Sequence, residues 1–155
     1  MQTSGAVPRS CGKLEINLTA DCSGSWVDIS GESTSLAQPT QDRLNDVMYT
    51  LDGQGAIIEG GKLQPIDLTF VIVYTEVALE AWDQLHDKWV ADECSPKICV
   101  RWSPKGGAVG DEQYQATGAL MTQIVYPEMD AGTGGPTPAG FTVRAARLFR
   151  STISS

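Results

Sequence analysis

One segment of the chain has a helical hydrophobic period, and the segments on both sides of it alternate like β-strands. Within Val77–Val90, apolar residues recur at intervals of four, three and four, which places them on one stripe of a helix. The stripe consists of Ala78, Trp82, Leu85 and Trp89. Glu80, Asp83 and Asp87 fall on the opposite face. We therefore predict a single helix that packs through this stripe onto a sheet and completes its core.

Alternation of apolar and polar residues predicts seven strands outside this helix. They are Lys13–Ala20, Trp26–Ile29, Glu32–Gln38, Leu63–Thr75, Lys97–Trp102, Glu112–Tyr126 and Phe141–Phe149. Gly118 interrupts the longest strand, where we expect it to mark a bulge. The 16 glycines and 8 prolines supply many turns, which favours a β-rich protein over a helical bundle.

The segment from Pro39 to Gly61 shows neither the helical hydrophobic period nor the alternation of a strand, and it contains turn-forming pairs such as Asp52-Gly53. It nevertheless carries seven large apolar residues, namely Leu44, Val47, Met48, Tyr49, Leu51, Ile57 and Ile58. Because Ile57 and Ile58 are adjacent, an extended backbone points them to opposite sides, and they cannot both enter one core. We interpret residues 39–61 as a long loop that packs on a neighbouring subunit. A loop folded over its own domain is the alternative.

Residues 1–12 are expected to form a flexible arm, and residues 13–155 a single domain. The net charge of −8 argues against a protein that grips nucleic acid through its phosphates. No apolar run is long enough to span a bilayer, and no signal segment is evident, so we expect a soluble protein made in a cytoplasm. In that compartment we expect its four cysteines to be free thiols. A local disulfide between Cys94 and Cys99 is the alternative.

No motif for catalysis or metal binding emerges from the sequence. His86 is the only histidine, and the cysteines lack C-x-x-C spacing. Gly60-Gly61-Lys62 is followed by Leu63 where a phosphate-binding loop needs Ser or Thr. Adjacent carboxylates are expected by chance among 19 acidic residues. We therefore expect no enzyme activity, no cofactor and no metal.

Several short motifs, in this order along the chain, resemble the tail tube (major tail) proteins of long-tailed bacteriophages. They are Trp26-Val27-Asp28-Ile29-Ser30-Gly31, Gly61-Lys62, the strand Leu68–Thr75, Arg101-Trp102-Ser103-Pro104-Lys105-Gly106-Gly107 and Gly110-Asp111. The resemblance covers roughly residues 13–150. The motifs are structural and not catalytic. The arm before Cys11 and the Gly/Pro-rich stretch Asp130–Gly140 depart from the family's pattern.

The resemblance implies an antiparallel β-sandwich or barrel with one flanking helix, similar to the type VI secretion tube protein and to the inner tubes of contractile tails. It further implies six copies per ring, with rings stacked into a hollow tube that conducts the phage genome. In such a tube we expect residues 39–61, helped by the N-terminal arm, to connect one ring to the next. The implied partners are other copies of the chain and the tape measure, terminator and baseplate proteins. Double-stranded DNA would pass through the lumen without specific binding, and no membrane would be involved. The implied location is the virion tail, assembled in the cytoplasm of the bacterial host.

A pore wall must be hydrated and free of cations that would hold phosphates. We expect faces without Lys or Arg to line the lumen, namely Glu32, Thr34, Gln113, Gln115 and Thr117; ordinary outer exposure is the alternative. Two other functions stay open. One is a tail terminator or connector that forms a single ring. The other is a small β-barrel that binds an apolar ligand against Trp26, Trp82, Trp89 and Trp102.

Overall fold

The computed structural model describes residues 5–53, 55–92 and 94–154. Its strands are β1 (Lys13–Asn17), β2 (Val27–Asp28), β3 (Ser33–Leu36), β4 (Arg43–Tyr49), β5 (Ala56–Leu63), β6 (Ile66–Val73), β7 (Lys97–Ser103), β8 (Glu112–Val125), β9 (Pro138–Ala145) and β10 (Phe149–Thr152). The helix α1 covers Ala81–Ala91, and a 3₁₀ turn covers Ser30–Glu32. The first four residues of the predicted arm, Gln54 of the predicted loop and the last residue of the predicted domain lie outside the described ranges.

One antiparallel sheet of eight strands dominates the fold. Its order is β2-β1-β7-β8-β9-β6-β3, with β10 paired to the start of β8. The two ends of this order, β2 and β3, are joined by only Ile29–Glu32, a link that spans at most about 17 Å. The sheet must therefore curl until its ends lie close together. The prediction of a mainly β, antiparallel fold with one flanking helix is confirmed.

The core fills the inside of this curled sheet. Strand β6 alternates strictly, with Ile66, Leu68, Phe70 and Ile72 buried and the residues between them more exposed. Phe70 stacks on Phe141 of β9, with ring centroids 4.7 Å apart. Strand pairing at this point requires glycine next to Phe141, because a Cβ on Gly140 would lie 2.5 Å from the Phe70 carbonyl oxygen.

The predicted bulge at Gly118 is confirmed. Gly118 has a φ of +60°, and the register between β7 and β8 shifts beside it. The buried positions of β8 change there from Ala116 to Ala119 and Met121, so the parity of the strand switches. This bend lets the first part of β8 pair with β10 and the second part with β9 along one edge.

The helix begins four residues later than its hydrophobic period predicts. Leu79 has a φ of +67°, which a helix cannot contain. The N–H of Leu79 donates to the Asp83 carboxylate at 2.9 Å, and the N–H of Ala81 donates to Glu32 Oε2 at 2.6 Å. A carboxylate at a helix N-terminus accepts hydrogen bonds from the free N–H groups and interacts favourably with the positive end of the helix dipole. These contacts therefore fix the start of α1 at Ala81.

The apolar stripe of the helix is correspondingly shorter. The prediction for Ala78 is wrong, because this residue is exposed and precedes the helix, and Ala81 occupies the core in its place. Leu85 is fully buried. Trp82 and Trp89 are half-buried and pack against the core.

Three strand boundaries also differ from the predictions. β1 ends at Asn17, whose side chain binds Thr19 and the Gly24 carbonyl and turns the chain. Most of the predicted strand Leu63–Thr75 is β6, while its first residue, Leu63, ends β5; Gln64-Pro65 separates the two because proline cannot donate to a ladder. Most of the predicted last strand, 141–149, is β9, while its last residue, Phe149, begins β10.

A disulfide joins Cys22 to Cys99, two residues 77 positions apart in the sequence. It ties the loop after β1 to the buried start of β7. The prediction of four free thiols is therefore wrong, and so is the alternative pairing of Cys94 with Cys99. Cys11 and Cys94 are free and exposed.

Leu85→Ala and Leu51→Ala make a matched pair of substitutions. Leu85 is 1% exposed in α1, whereas Leu51 is fully exposed at the hairpin turn. We expect Leu85→Ala to lower the free energy of unfolding by about 2–5 kcal/mol. Leu51→Ala should change it by less than about 0.5 kcal/mol. Urea unfolding followed by circular dichroism measures both, and equal losses would contradict the burial of Leu85.

Reduction of the Cys22–Cys99 bond should destabilise the chain. Closing a loop of 77 residues contributes about 4.5 kcal/mol at most in the chain-entropy model. We therefore expect a reductant, or Cys22→Ser, to lower the midpoint of thermal unfolding markedly. Cys94→Ser, a change at a free exposed thiol, serves as the control and should leave the midpoint unchanged.

Candidate assembly surface

Residues 39–61, predicted to form an irregular loop, instead contain most of a β-hairpin that stands apart from the sheet. Strands β4 and β5 pair antiparallel with each other and, within the described ranges, with no other strand. Every residue of both strands is exposed. The loop prediction is wrong because the segment is apolar on both faces and lacks the one-sided alternation of a half-buried strand.

Both faces of the hairpin present large apolar side chains. Directly opposed residues share a face, so Val47 and Ile58 lie on one side and Met48 and Ile57 on the other. The seven residues predicted to stack rings are Leu44, Val47, Met48, Tyr49, Leu51, Ile57 and Ile58, and each is at least 41% exposed. Leu63, which the sequence assigned to the next strand, adds an eighth at 46%. Their contact with a neighbouring subunit stays a prediction.

The root of the hairpin is held firmly on the sheet. The Gln41 side-chain amide donates to the carbonyl of Gln64 at 3.0 Å and to that of Ala146 at 3.3 Å. Beside it, the Arg144 guanidinium donates two hydrogen bonds, of 2.8 and 3.1 Å, to Asp67. The hairpin therefore leaves the molecule from a fixed position at the end of the sheet where β6 begins.

Contacts between the two strands of the hairpin contribute little to its stability. A two-stranded hairpin is marginal in water on its own. Asp46 lies directly opposite Glu59, a like-charge pair that destabilises the strand pairing. Leaving a residue such as Ile58 exposed forgoes about 1.5–3 kcal/mol of burial. Because large exposed apolar patches are typical of interaction sites, the hairpin is the candidate assembly surface.

The five residues predicted to face a lumen do not form one surface. Gln113, Gln115 and Thr117 lie together on β8, where the Gln115 amide donates to the Thr117 hydroxyl at 3.1 Å. Thr34 is exposed on β3, three strands away in the sheet order. Glu32 caps the helix N-terminus by accepting the N–H of Ala81, 49 residues away in the sequence. A contact over such a separation leaves no local sequence pattern.

The expectation that this face of β8 carries no cation is wrong. Arg101 of β7 pairs directly with Gln115, and Glu15 of β1 pairs with Arg101, so all three share a face. Arg101 is neutralised there, because its guanidinium lies 2.9 Å from Glu15 Oε2 and 4.0 Å above the Trp26 ring. Which face lines a lumen stays a prediction.

The four tryptophans have separate surroundings. Trp26 lies under Arg101, and Trp102 stacks on Tyr114. Trp82 contacts Tyr74, His86 and Tyr126, and Trp89 packs against the core. This distribution does not support an apolar ligand pocket walled by all four. No described helix is long and apolar enough to cross a membrane, and no group of three or more potential ligands for a metal occurs among the described residues.

Comparison with known proteins identifies the fold. No protein-family model matches the sequence, and no curated protein matches it either. Three solved structures that resemble it come from tail-like machines. The sheath/tube terminator of the PVC extracellular contractile injection system has a TM-score of 0.74 at 12% identity, covering 97% of this chain and 100% of that chain. The tube-terminating cap of the anti-feeding prophage has a TM-score of 0.73 at 15% identity, covering 98% and 95%. The SPP1 tail tube has a TM-score of 0.68 at 8% identity, covering 97% and 81%.

The Asp67–Arg144 pair at the hairpin root should make stability depend on pH. The hydrogen bonds from Arg144 lower the pKa of Asp67 below its usual value. A carboxyl group whose pKa is lowered by folding stabilises the protein above its unfolded pKa of about 3.9, and this contribution is lost as the pH falls through the folded value. Asp67→Asn should therefore cause a small loss of stability at pH 7 that shrinks below about pH 4.

Urea unfolding of both proteins at pH 7 and pH 3 measures this difference. Arg144→Gln serves as the matched control. The double variant should lose no more than either single variant, because both substitutions remove the same pair. A difference independent of pH would contradict a role for the Asp67 charge.

Proposed function

We propose that this chain is a structural subunit of the tail tube of a phage or a phage-tail-like injection machine. Its copies associate side by side into rings, and the rings stack into a hollow tube. The hairpin β4–β5 makes the contact between rings. The observation that carries the proposal is this exposed hairpin, apolar on both faces, on a sheet whose fold is that of tail tube and terminator proteins.

Ring formation is supported by the edges of the sheet. Among the described residues, β2, β3 and β10 each pair with one other strand and so have one unpaired side. Unpaired edges are a hazard for uncontrolled aggregation unless another chain or a closed assembly covers them. A closed ring of identical subunits can cover such edges with the neighbouring copy. The six-fold symmetry implied by the sequence resemblance belongs to this proposal.

Conduction of double-stranded DNA is the function proposed for the tube. The net charge of −8 disfavours the release of counterions that makes phosphates adhere to basic surfaces. The tape measure, terminator and baseplate proteins are the proposed partners, and the virion tail is the proposed location. No catalytic step is part of the proposal.

A terminator or connector that forms a single ring is the second candidate. The resemblance in fold to a sheath/tube terminator and a tube-terminating cap favours it. Electron microscopy of the purified chain separates the candidates, because a tube protein elongates and a terminator stops at one ring. We expect tubes, since both faces of the hairpin carry apolar residues that a single ring would leave in water.

Shortening the hairpin tests its role without disturbing the root. Asn45 and Gly60 are cross-strand partners, so residues 46–59 can be replaced by Asn-Gly, which forms a two-residue turn. We expect this variant to keep the circular dichroism spectrum of the wild type and to form rings that no longer stack into long tubes. Val109→Ser, at a residue 70% exposed in another loop, is the control and should form tubes of normal length. Normal tubes from the shortened variant would refute the role of the hairpin.

A further inference from the structure

The loop between β1 and β2, residues 18–26, folds back over the outer face of the sheet. Both neighbours of Cys99 along β7 belong to the core, so the Cys99 side chain points to the opposite face of that strand. Cys99 is nevertheless fully buried. Its sulfur lies 3.4 Å from the carbonyl oxygen of Thr19 and 3.5 Å from that of Ala20. The loop, and not the core, therefore covers this cysteine.

The base of the loop is held by hydrogen bonds in which the disulfide takes no part. Asn17, at the end of β1, accepts the N–H of Thr19 at 3.0 Å and donates to the carbonyl of Gly24 at 2.7 Å. The N–H of Gly24 donates in turn to the Thr19 hydroxyl at 2.9 Å. These bonds join the two ends of the loop to each other whether or not the cysteines are bonded.

The tip of the loop, residues 20–23, is attached to the sheet in a different way. It is joined there by the Cys22–Cys99 bond and by a hydrogen bond of 3.5 Å from Gln115 Nε2 to the Cys22 sulfur. Cys22 has a φ of +62°, which costs an L-residue free energy and persists only where the surroundings hold it. The covalent bond is one such restraint. Without it, the tip can relax while the base stays in place.

The disulfide meets the sheet at the bulge of β8. The register between β7 and β8 shifts there, so that Cys99 lies opposite both Thr117 and Gly118. A Cβ on Gly118 would lie 3.3 Å from the Ala20 carbonyl oxygen, so the tip also rests against the bulge. At this bulge β8 changes its partner from β10 to β9. The disulfide therefore fastens the tip to the bend of the sheet.

The two sulfur atoms differ in access. Cys22 is half-buried in the loop, whereas Cys99 lies beneath it and is fully covered. A thiol or disulfide dissolved in water consequently reaches Cys22 first. Both sulfurs keep a hydrogen-bond partner after reduction, because Gln115 can donate to Cys22 and the Cys99 thiol can donate to a loop carbonyl. The site thus accommodates the reduced form as well as the oxidised one.

We infer that Cys22 is a site of thiol–disulfide exchange with small thiols, and that the Cys22–Cys99 bond is a latch which reduction opens at the loop tip alone. A reducing environment keeps the latch open, and an oxidising one closes it onto the bend of β8. The inference goes beyond the proposed function, because the chemistry belongs to the single chain and needs no assembly.

The latch closes by two exchange steps with a small-molecule disulfide such as oxidised glutathione. The Cys22 thiolate attacks one sulfur of that molecule, its S–S bond breaks, and one small thiol leaves. The Cys99 sulfur, having lost its proton to water, then attacks the Cys22 sulfur and displaces the second small thiol. Two cysteine thiols are oxidised, one small disulfide is reduced to two thiols, and two protons pass through water to the thiols that leave. Reduction runs the same steps backwards, with the first attack on Cys22.

Variants with a single cysteine test the site of exchange. In a background of Cys11→Ser and Cys94→Ser, the further change Cys99→Ser leaves only Cys22, and Cys22→Ser leaves only Cys99. We expect oxidised glutathione to form a mixed disulfide with Cys22 at least about tenfold faster than with Cys99, which reacts only after the tip has opened. Mass spectrometry of acid-quenched samples measures both rates. Equal rates would overturn the assignment of Cys22, and a Cys99 that reacts only in urea sufficient to unfold the chain would overturn the latch.

Nuclear magnetic resonance of the oxidised and reduced chain tests how far the opening spreads. In the Cys11→Ser, Cys94→Ser background, and below the melting temperature of the reduced chain, reduction should move the amide signals of residues 20–23 and of the bulge. The signals of β6 should stay in place. Signals that change throughout the core, or that collapse to those of an unfolded chain, would overturn the latch, and so would unchanged signals at the tip. Electron microscopy tests assembly separately, so either failure leaves the proposed function standing.

Discussion

The eight-stranded sheet and α1 close the hydrophobic core without any residue of the hairpin. Buried apolar residues come from the strands of the main sheet, from α1 and from Ile29, and none comes from β4 or β5. The apolar residues of the hairpin are consequently not buried in the monomer. Their burial would need a second chain, and this is the physical ground for the assembly proposed above.

Curling of the sheet depends on a few contacts near its seam. The 3₁₀ turn that joins β2 to β3 also supplies Glu32, which fixes the start of α1, and Ser30, whose hydroxyl accepts the N–H of Leu14 at 2.8 Å. The Cys22–Cys99 disulfide holds the adjacent loop on β7. One short segment thereby sets both the closure of the sheet and the place where the helix begins. The strained geometry at Leu79 follows from that start, since the chain must reach Ala81 from the end of β6.

The sequence predicts the half-buried strands well because one-sided burial leaves a period of two. β7 and β8 begin at the predicted residues, and the bulge at Gly118 is recognisable from glycine alone. The same reasoning fails for the hairpin, where Ile57 and Ile58 are both exposed and no face is favoured. It also fails where distant residues decide the outcome: Glu32 fixes the start of α1 at Ala81, 49 residues away in the sequence, and Cys22 is bonded to Cys99, 77 residues away. Such contacts carry no local signal.

Most cationic side chains of the main sheet form an ion pair with a particular carboxylate, in addition to the excess of acidic residues in the whole chain. Arg101 pairs with Glu15, Arg144 with Asp67 and Arg150 with Glu112. Pairing matters more than net charge for a surface near DNA, because a phosphate would have to displace a carboxylate already in place before it could bind the cation. A wall built from this sheet would therefore bind a polyanion weakly even where arginines are present. Among the described residues, Arg43 and Lys62 at the hairpin root have no carboxylate within 4.0 Å, and neither does Lys97 in β7.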